Sequence, residues 1–128
     1  MSDELILIVE DNEKNLRLLR DILQFEGFRT LDAMTGRDGI WLAQQNTPAL
    51  ILMDIQLPDM NGMEALKALR KDERTRSIPV LAVSASVMPE QRKVIAEAGF
   101  DGFQEKPIEI EQFVEKVAAT LRQHRKGA

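Results

Sequence analysis

The chain has no cysteine, which rules out a disulfide framework, a thiolate metal site and a cysteine nucleophile. Nor does it have a basic excess: 17 Lys and Arg face 21 Asp and Glu, for a net charge of -4. Nucleic acid and anionic membrane both demand a basic footprint that displaces counterions, so neither is expected as a partner. No apolar run approaches the roughly 20 residues of a membrane span, and the opening MSDE has none of the positive charge that starts a signal peptide. The expected location is therefore cytoplasmic. No glycine-rich loop follows the first apolar run, which removes the dinucleotide-binding enzymes. Internal repeats and low-complexity tracts are also missing. The only histidine, His124, falls in a polar tail, residues 124–128, expected to fray, and is a poor catalyst or ligand.

What is present suffices for one compact domain, 1–128, since 44% of the residues are hydrophobic. Two grammars alternate along it. Residues 5–9 form an unbroken apolar run that stops at Glu10 and Asp11, as a strand buried on both faces would. Asn12 or Glu13 opens a helix with Leu16, Leu19, Ile22 and Leu23 on one face and Gly27 as its stop. A weaker strand at residues 28–33 precedes a helix over about residues 36–45, broken by Asn46, Thr47 and Pro48. Residues 49–53 are a second buried run, ending at Asp54. Residues 56–62 read as a loop, and Met63, Leu66 and Leu69 mark the next helix. Pro79 starts the run 80–83, which ends at Ser84, and a helix over about residues 89–98 closes at Gly99. A last short strand at residues 100–103 leads to Lys106 and Pro107. Ile110, Phe113, Val114, Val117, Ala118 and Leu121 then give the cleanest helical stripe. Five strand and helix pairs of this kind imply an α/β fold, a parallel sheet with helices on both faces joined by right-handed crossovers.

In such a sheet ligands sit at the carboxyl ends of the strands. That rule gathers Glu10, Asp11, Asp54, Ser84 and Lys106, each at the end of a strand, into one site. Individually each has a plain reading. A Glu-Asp pair after a strand often forms a turn and helix cap, Asp54 could cap its loop, Ser84 could be a polar strand end, and most lysines are solvated. Together they suit a hard divalent cation, which takes oxygen ligands and relieves the repulsion between clustered carboxylates. Asp54 could then attack an activated phosphorus and become an acyl phosphate. Lys106 would pair with the phosphoryl oxygens, and the Ser84 hydroxyl would donate to one of them. Phe103 reads as core, with an aromatic rotamer switch as its alternative.

The stretches 5–12 (LILIVEDN) and 50–62 (LILMDIQLPDMNG), with Ser84-Ala85 and Glu105-Lys106-Pro107, resemble the receiver domains of bacterial two-component response regulators. The resemblance covers essentially the whole chain. It implies a flavodoxin-like, doubly wound sheet of five parallel strands in the order 2-1-3-4-5, with five helices on both faces. It also implies Asp54 as phosphoacceptor, fed by a histidine kinase or histidine phosphotransfer protein, and Mg2+ as cofactor. Asp11, Asp54 and the backbone carbonyl of Gln56 would hold the ion directly, with Glu10 acting through water. Lys106, joined to Pro107 by a bond usually cis in that family, matches the family's lysine. Ser84 and Phe103 match its switch residues, reporting to a downstream protein target through the fourth helix, fifth strand and fifth helix. Such a protein is not an enzyme on external substrates, catalysing only its own phosphorylation and dephosphorylation. Glu10 stands where aspartate is commoner, and Phe103 where tyrosine is, so a switch here would have no phenolic hydrogen bond. Gln56 and Ser86 occupy positions that tune dephosphorylation in the family. A narrower similarity, through residues 53–58 (MDIQLP) and 106–108 (KPI), is to single-domain regulators of the DivK type. The competing readings are a phosphorylation-independent interaction module on the same fold and an aspartyl-phosphate hydrolase. The hydrolase would need a general acid where Gln56 stands.

Overall fold

Strands and helices alternate without exception in the computed structural model, which describes residues 4–85 and 88–127. In chain order they are β1 (Leu5–Val9), α1 (Glu13–Phe25), β2 (Arg29–Ala33), α2 (Gly36–Asn46), β3 (Leu50–Asp54), α3 (Gly62–Lys71), β4 (Val80–Ala85), α4 (Pro89–Glu97), β5 (Gly102–Lys106) and α5 (Ile110–Gly127). The strands form one parallel sheet in the order β2-β1-β3-β4-β5, the expected one. Among the described residues no helix is long and apolar enough to cross a membrane.

The period of two in a strand divides the core. Ile6, Ile8, Leu50, Leu52, Leu81 and Val83 point to one face, where Leu16, Leu19, Ile22 and Leu23 of α1 meet Phe113, Val117 and Leu121 of α5. Leu7, Val9, Ile51, Met53 and Val80 point to the other, against Ala43 of α2 and Ala65, Leu66 and Leu69 of α3. A third cluster, Ile55, Ala82 and Ile95, takes in the half-buried Met63, Phe100 and Phe103. Because the central strands are covered on both faces, β1 and β3 are apolar up to Val9 and Met53, which is why their ends are so sharply marked. Caps set the helix starts: the side chains of Asn12, Thr35 and Asn61 accept from the third residue of α1, α2 and α3 respectively. Gly27 and Gly99, with φ of 95° and 104°, follow α1 and α4 as expected stops.

Most boundaries fall within two residues of the sequence expectation, and two elements depart from it in a way that has a physical reason. The last strand lies at Gly102–Lys106, not at residues 100–103. Asp101 ends the preceding bend instead, its N–H bonded to the Val80 carbonyl at 2.8 Å and its carboxylate accepting from the Val80 N–H at 2.8 Å. β5 is an edge strand, so Gln104, Glu105 and Lys106 are admitted where a central strand would be apolar, and the apolar run misleads. The helix α5 also continues through His124 to Gly127, where a frayed end was expected. Gln, Arg and Lys there are good helix formers, so a loss of apolar stripe did not mean a loss of helix.

Candidate functional site

All five marked residues converge at the carboxyl edge of the sheet, around a cavity of about 490 Å³ that Gln56 and the first turn of α1 also line. β1 delivers Glu10, whose N–H still pairs with the Ala33 carbonyl at 2.9 Å and whose side chain is 1% exposed. Asp11 follows, exposed at the rim. Asn12 closes the turn: its N–H donates to Glu10 Oε2 at 3.1 Å while its Oδ1 accepts from Asn15 N–H at 3.0 Å. The bland reading of this segment as turn and cap is therefore also true, but the capping falls to Asn12 and leaves Asp11 free of that duty.

Asp54 is the last residue of β3 and is buried. Its Oδ1 accepts from the Gln56 N–H at 3.1 Å, and its Oδ2 lies 3.3 Å from Lys106 Nζ. Lys106, the last residue of β5, also reaches Glu10 Oε1 at 3.0 Å, so one ammonium bridges two buried carboxylates. Its bond to Pro107 is cis, as the resemblance implied. Ser84 is buried near the end of β4 and lines the cavity.

The charges do not balance. Carboxylate oxygens of Glu10, Asp11 and Asp54 all lie within 4.8 Å of one another, and among the described residues the only cation lining their cavity is Lys106. Burial raises the Glu10 carboxyl above its ordinary value, the Lys106 ammonium pulls it back, and the neighbouring Asp54 charge raises it again. Burial alone would lower the Lys106 ammonium, but Glu10 and Asp54 outweigh burial and raise it. Both groups are thus pushed toward holding a proton, Glu10 chiefly by its burial and Lys106 by the two carboxylates it bridges. Glu10 Oε1, although paired with Lys106, has no well-directed hydrogen bond among the described residues. Three oxygen donors of this charge and spacing fit a hard divalent cation, with Gln56 on the same wall.

Phe103 is not in this cavity. It stands half-buried on the α4 side of β5, beneath the Arg92 guanidinium at 4.9 Å from the ring centroid, and its carbonyl accepts from Lys116 Nζ. Arg92 also lies 3.6 Å from Glu105. Ser86 lies outside the described residues. A cavity of about 650 Å³ opens at the amino ends of β4 and β5 beside Arg70, Ser77, Asp101 and His124. Arg70 there is already engaged by the carbonyls of Arg76 and Ile78 and by Asp101, a structural clamp.

Two participants escaped the sequence reading. Asn15 reaches the cavity from α1, and a polar residue on the first turn after the carboxylate pair was the available signal. Gly62 packs where no side chain fits: a Cβ there would come within 2.9 Å of the Asp54 carbonyl and the Ile55 Cα. The sequence showed only an Asn-Gly pair entering a helix.

The response regulator receiver domain family matches residues 6–118. Among curated proteins, the polar-differentiation response regulator DivK of Brucella ovis is 40% identical over 116 residues, covering 91% of this chain and 94% of that protein. DivK of Brucella anthropi aligns equally well. Among solved structures, a CheY-like response regulator receiver domain protein of Methanospirillum hungatei is 30% identical with a TM-score of 0.88, covering 99% of this chain and 100% of that one. The receiver domain of a Pseudomonas aeruginosa sensor histidine kinase, solved with a magnesium ion coordinated in its active-site cleft, is 26% identical with a TM-score of 0.86. It covers 94% of this chain and 98% of that one.

Proposed function

Because this chain belongs to the receiver-domain family of two-component response regulators, as a DivK-like member, we propose that it takes a phosphoryl group from a phosphohistidine onto Asp54 and thereby changes its affinity for a protein partner. The observation that carries this reading is the junction of three carboxylates with a single bridging lysine at the strand ends. Such a set is costly to keep unless a cation and a phosphoryl group complete it.

Asp11, Asp54 and the backbone carbonyl of Gln56 would hold Mg2+, with Glu10 acting through water. When bound, the ion supplies positive charge that offsets the charge on the phosphoryl oxygens. A carboxylate oxygen of Asp54 attacks phosphorus in line, an O–P bond forms as the P–N bond to the donor imidazole breaks, and the electron pair leaves with the imidazole. Lys106 pairs with a phosphoryl oxygen, which draws the ammonium from its present partners. The Ser84 hydroxyl donates to another. The protein transforms only itself, with a histidine kinase or histidine phosphotransfer protein as donor.

The output runs through β5. Ser84 sits opposite Glu105 in the parallel register, and Ala82, two residues before it, sits opposite Phe103, over which Arg92 lies, so movement of the β4 end is felt by α4 and β5 together. Phosphorylation shifts that face between two arrangements that a downstream protein tells apart. Incubation with acetyl phosphate and Mg2+ tests the reading. The intact mass gains one phosphoryl group in the natural protein and none in Asp54→Asn; an unchanged mass, or equal labelling of the variant, refutes it.

A further inference from the structure

The loop between β3 and α3 carries Gln56 and is short, exposed and turned back on itself. Gln56 bridges to Asn61, the Leu57 N–H donates to the Met60 carbonyl at 3.2 Å, and the Gly62 N–H donates to the Ile55 carbonyl at 2.7 Å. Pro58 and Asp59 form the tip of that turn. A tip of this kind ordinarily ends in solvent, but this one is docked. Asp59 Oδ1 accepts from the Gly36 N–H at 2.8 Å and Asp59 Oδ2 from the Arg37 N–H at 2.9 Å. These are the first two N–H groups of α2, which have no partner within their own helix. Thr35 takes the third, from Asp38, at 3.0 Å. Beside this pair of hydrogen bonds the Met60 side chain lies so close to Gly36 that a Cβ there would come within 2.6 Å of its Cγ. The backbone bonds from Arg37 and Gly36 hold the Asp59 carboxyl below the usual carboxylate range, so it is charged at neutral pH.

We propose that Asp59 is a positioning residue of the phosphorylation site: by clamping the loop tip to the amino end of α2, it fixes Gln56 against the carboxylate cluster and so sets the affinity for Mg2+. Asp59 touches neither the ion nor the phosphoryl group. The clamp acts through the loop, which has the acceptor wall of the cavity at one end and α2 at the other. This inference rests on the metal-dependent reading of the site given above.

The test compares three variants of the full chain. Asp59→Ala removes both bonds. Asp59→Asn keeps an acceptor for one amide and loses the charge. Thr35→Ala removes the remaining cap of the same helix end without touching the loop. Each is stripped with EDTA, titrated with Mg2+ alone by calorimetry, and unfolded in urea without metal. Amide hydrogen exchange of the metal-free proteins reports on the loop directly. The clamp predicts that Asp59→Ala weakens Mg2+ binding about tenfold, the low end for loss of an outer-shell partner of a metal ligand. Asp59→Asn falls between, and the Leu57 and Gly62 amides exchange faster in Asp59→Ala. Thr35→Ala lowers the urea midpoint while its Mg2+ affinity stays that of the natural protein. Natural affinity in Asp59→Ala, or equal weakening in Thr35→Ala, overturns the clamp and leaves Asp59 a helix cap only. Failure of the natural protein itself to bind Mg2+ would instead overturn the reading of the site, and the clamp with it.

Discussion

Replacing the phosphoacceptor with its neutral isostere, Asp54→Asn, should make the metal-free protein more stable. Asp54 has a carboxylate oxygen within 4.8 Å of one from Glu10 and one from Asp11, and Oδ2 lies 3.3 Å from Lys106 Nζ. At 4.8 Å each repulsion amounts to about 0.9 kcal/mol at the dielectric constant of water and about 3.5 kcal/mol at an effective value of about 20. The attraction lost with Lys106 is about 1.3 and about 5 kcal/mol under the same two conditions. Two repulsions therefore outweigh one attraction, by about 0.5–2 kcal/mol. The substitution breaks little else. An Asn Oδ1 can still accept from the Gln56 N–H, and Lys106 keeps Glu10 at 3.0 Å, so no buried charge is orphaned. For a chain of this size the gain corresponds to a melting temperature higher by about 2–8 °C. Thermal unfolding followed by circular dichroism in EDTA at neutral pH measures it. Adding Mg2+ should then raise the natural protein's midpoint more than the variant's, because a ligand that binds only the folded state stabilises it by an amount that grows with the logarithm of its affinity. An Asp54→Asn protein that melts below the natural one in EDTA would refute the claim that surplus negative charge governs this edge of the sheet.

Gly62→Ala should destabilise by about 1–3 kcal/mol, since its methyl group meets backbone rather than a side chain that could swing away, and urea denaturation would show the lowered midpoint. A midpoint equal to the natural protein's would mean that α3 backs away from Asp54 at no cost. Stability should also depend on pH through Glu10, whose carboxyl is raised chiefly by burial. A folded-state value above the unfolded one means that the Glu10 contribution is fully present below the unfolded value and is lost as pH rises through the folded one. Acidifying the metal-free protein from neutrality through that window should therefore add stability, and Glu10→Gln should remove that part of the profile. Urea midpoints measured across the acidic range, in EDTA, would contradict this if Glu10→Gln left the profile unchanged.

Much of the site was legible because the sheet is buried on both faces at its centre. In β1 and β3 every position is apolar until the strand ends, so Glu10, Asp11 and Asp54 stand out against their background. Lys106 was legible for a different reason, its place before Pro107 in a recognisable segment, since β5 itself alternates too weakly to be bounded by pattern. That same edge position displaced the expected strand by two residues at its start. The contribution of Asp59 could not be read at all. Its two donors are 23 and 22 residues away in sequence, on a helix whose neighbourhood only the folded sheet creates. Gly62 is the converse case, since what it does depends on a side chain it lacks and on a backbone approach that no local pattern encodes.

The most direct measurement of the central claim is the position of the phosphoryl group. The protein is exposed to a phosphorylated histidine phosphotransfer domain with Mg2+ or with EDTA, and the acyl phosphate is trapped by borohydride reduction and mapped on peptides. A single modified residue, Asp54, that forms with Mg2+ and is lost with EDTA is the predicted result. Modification at Glu10, Asp11 or elsewhere, or labelling of Asp54 that EDTA leaves undiminished, would contradict it.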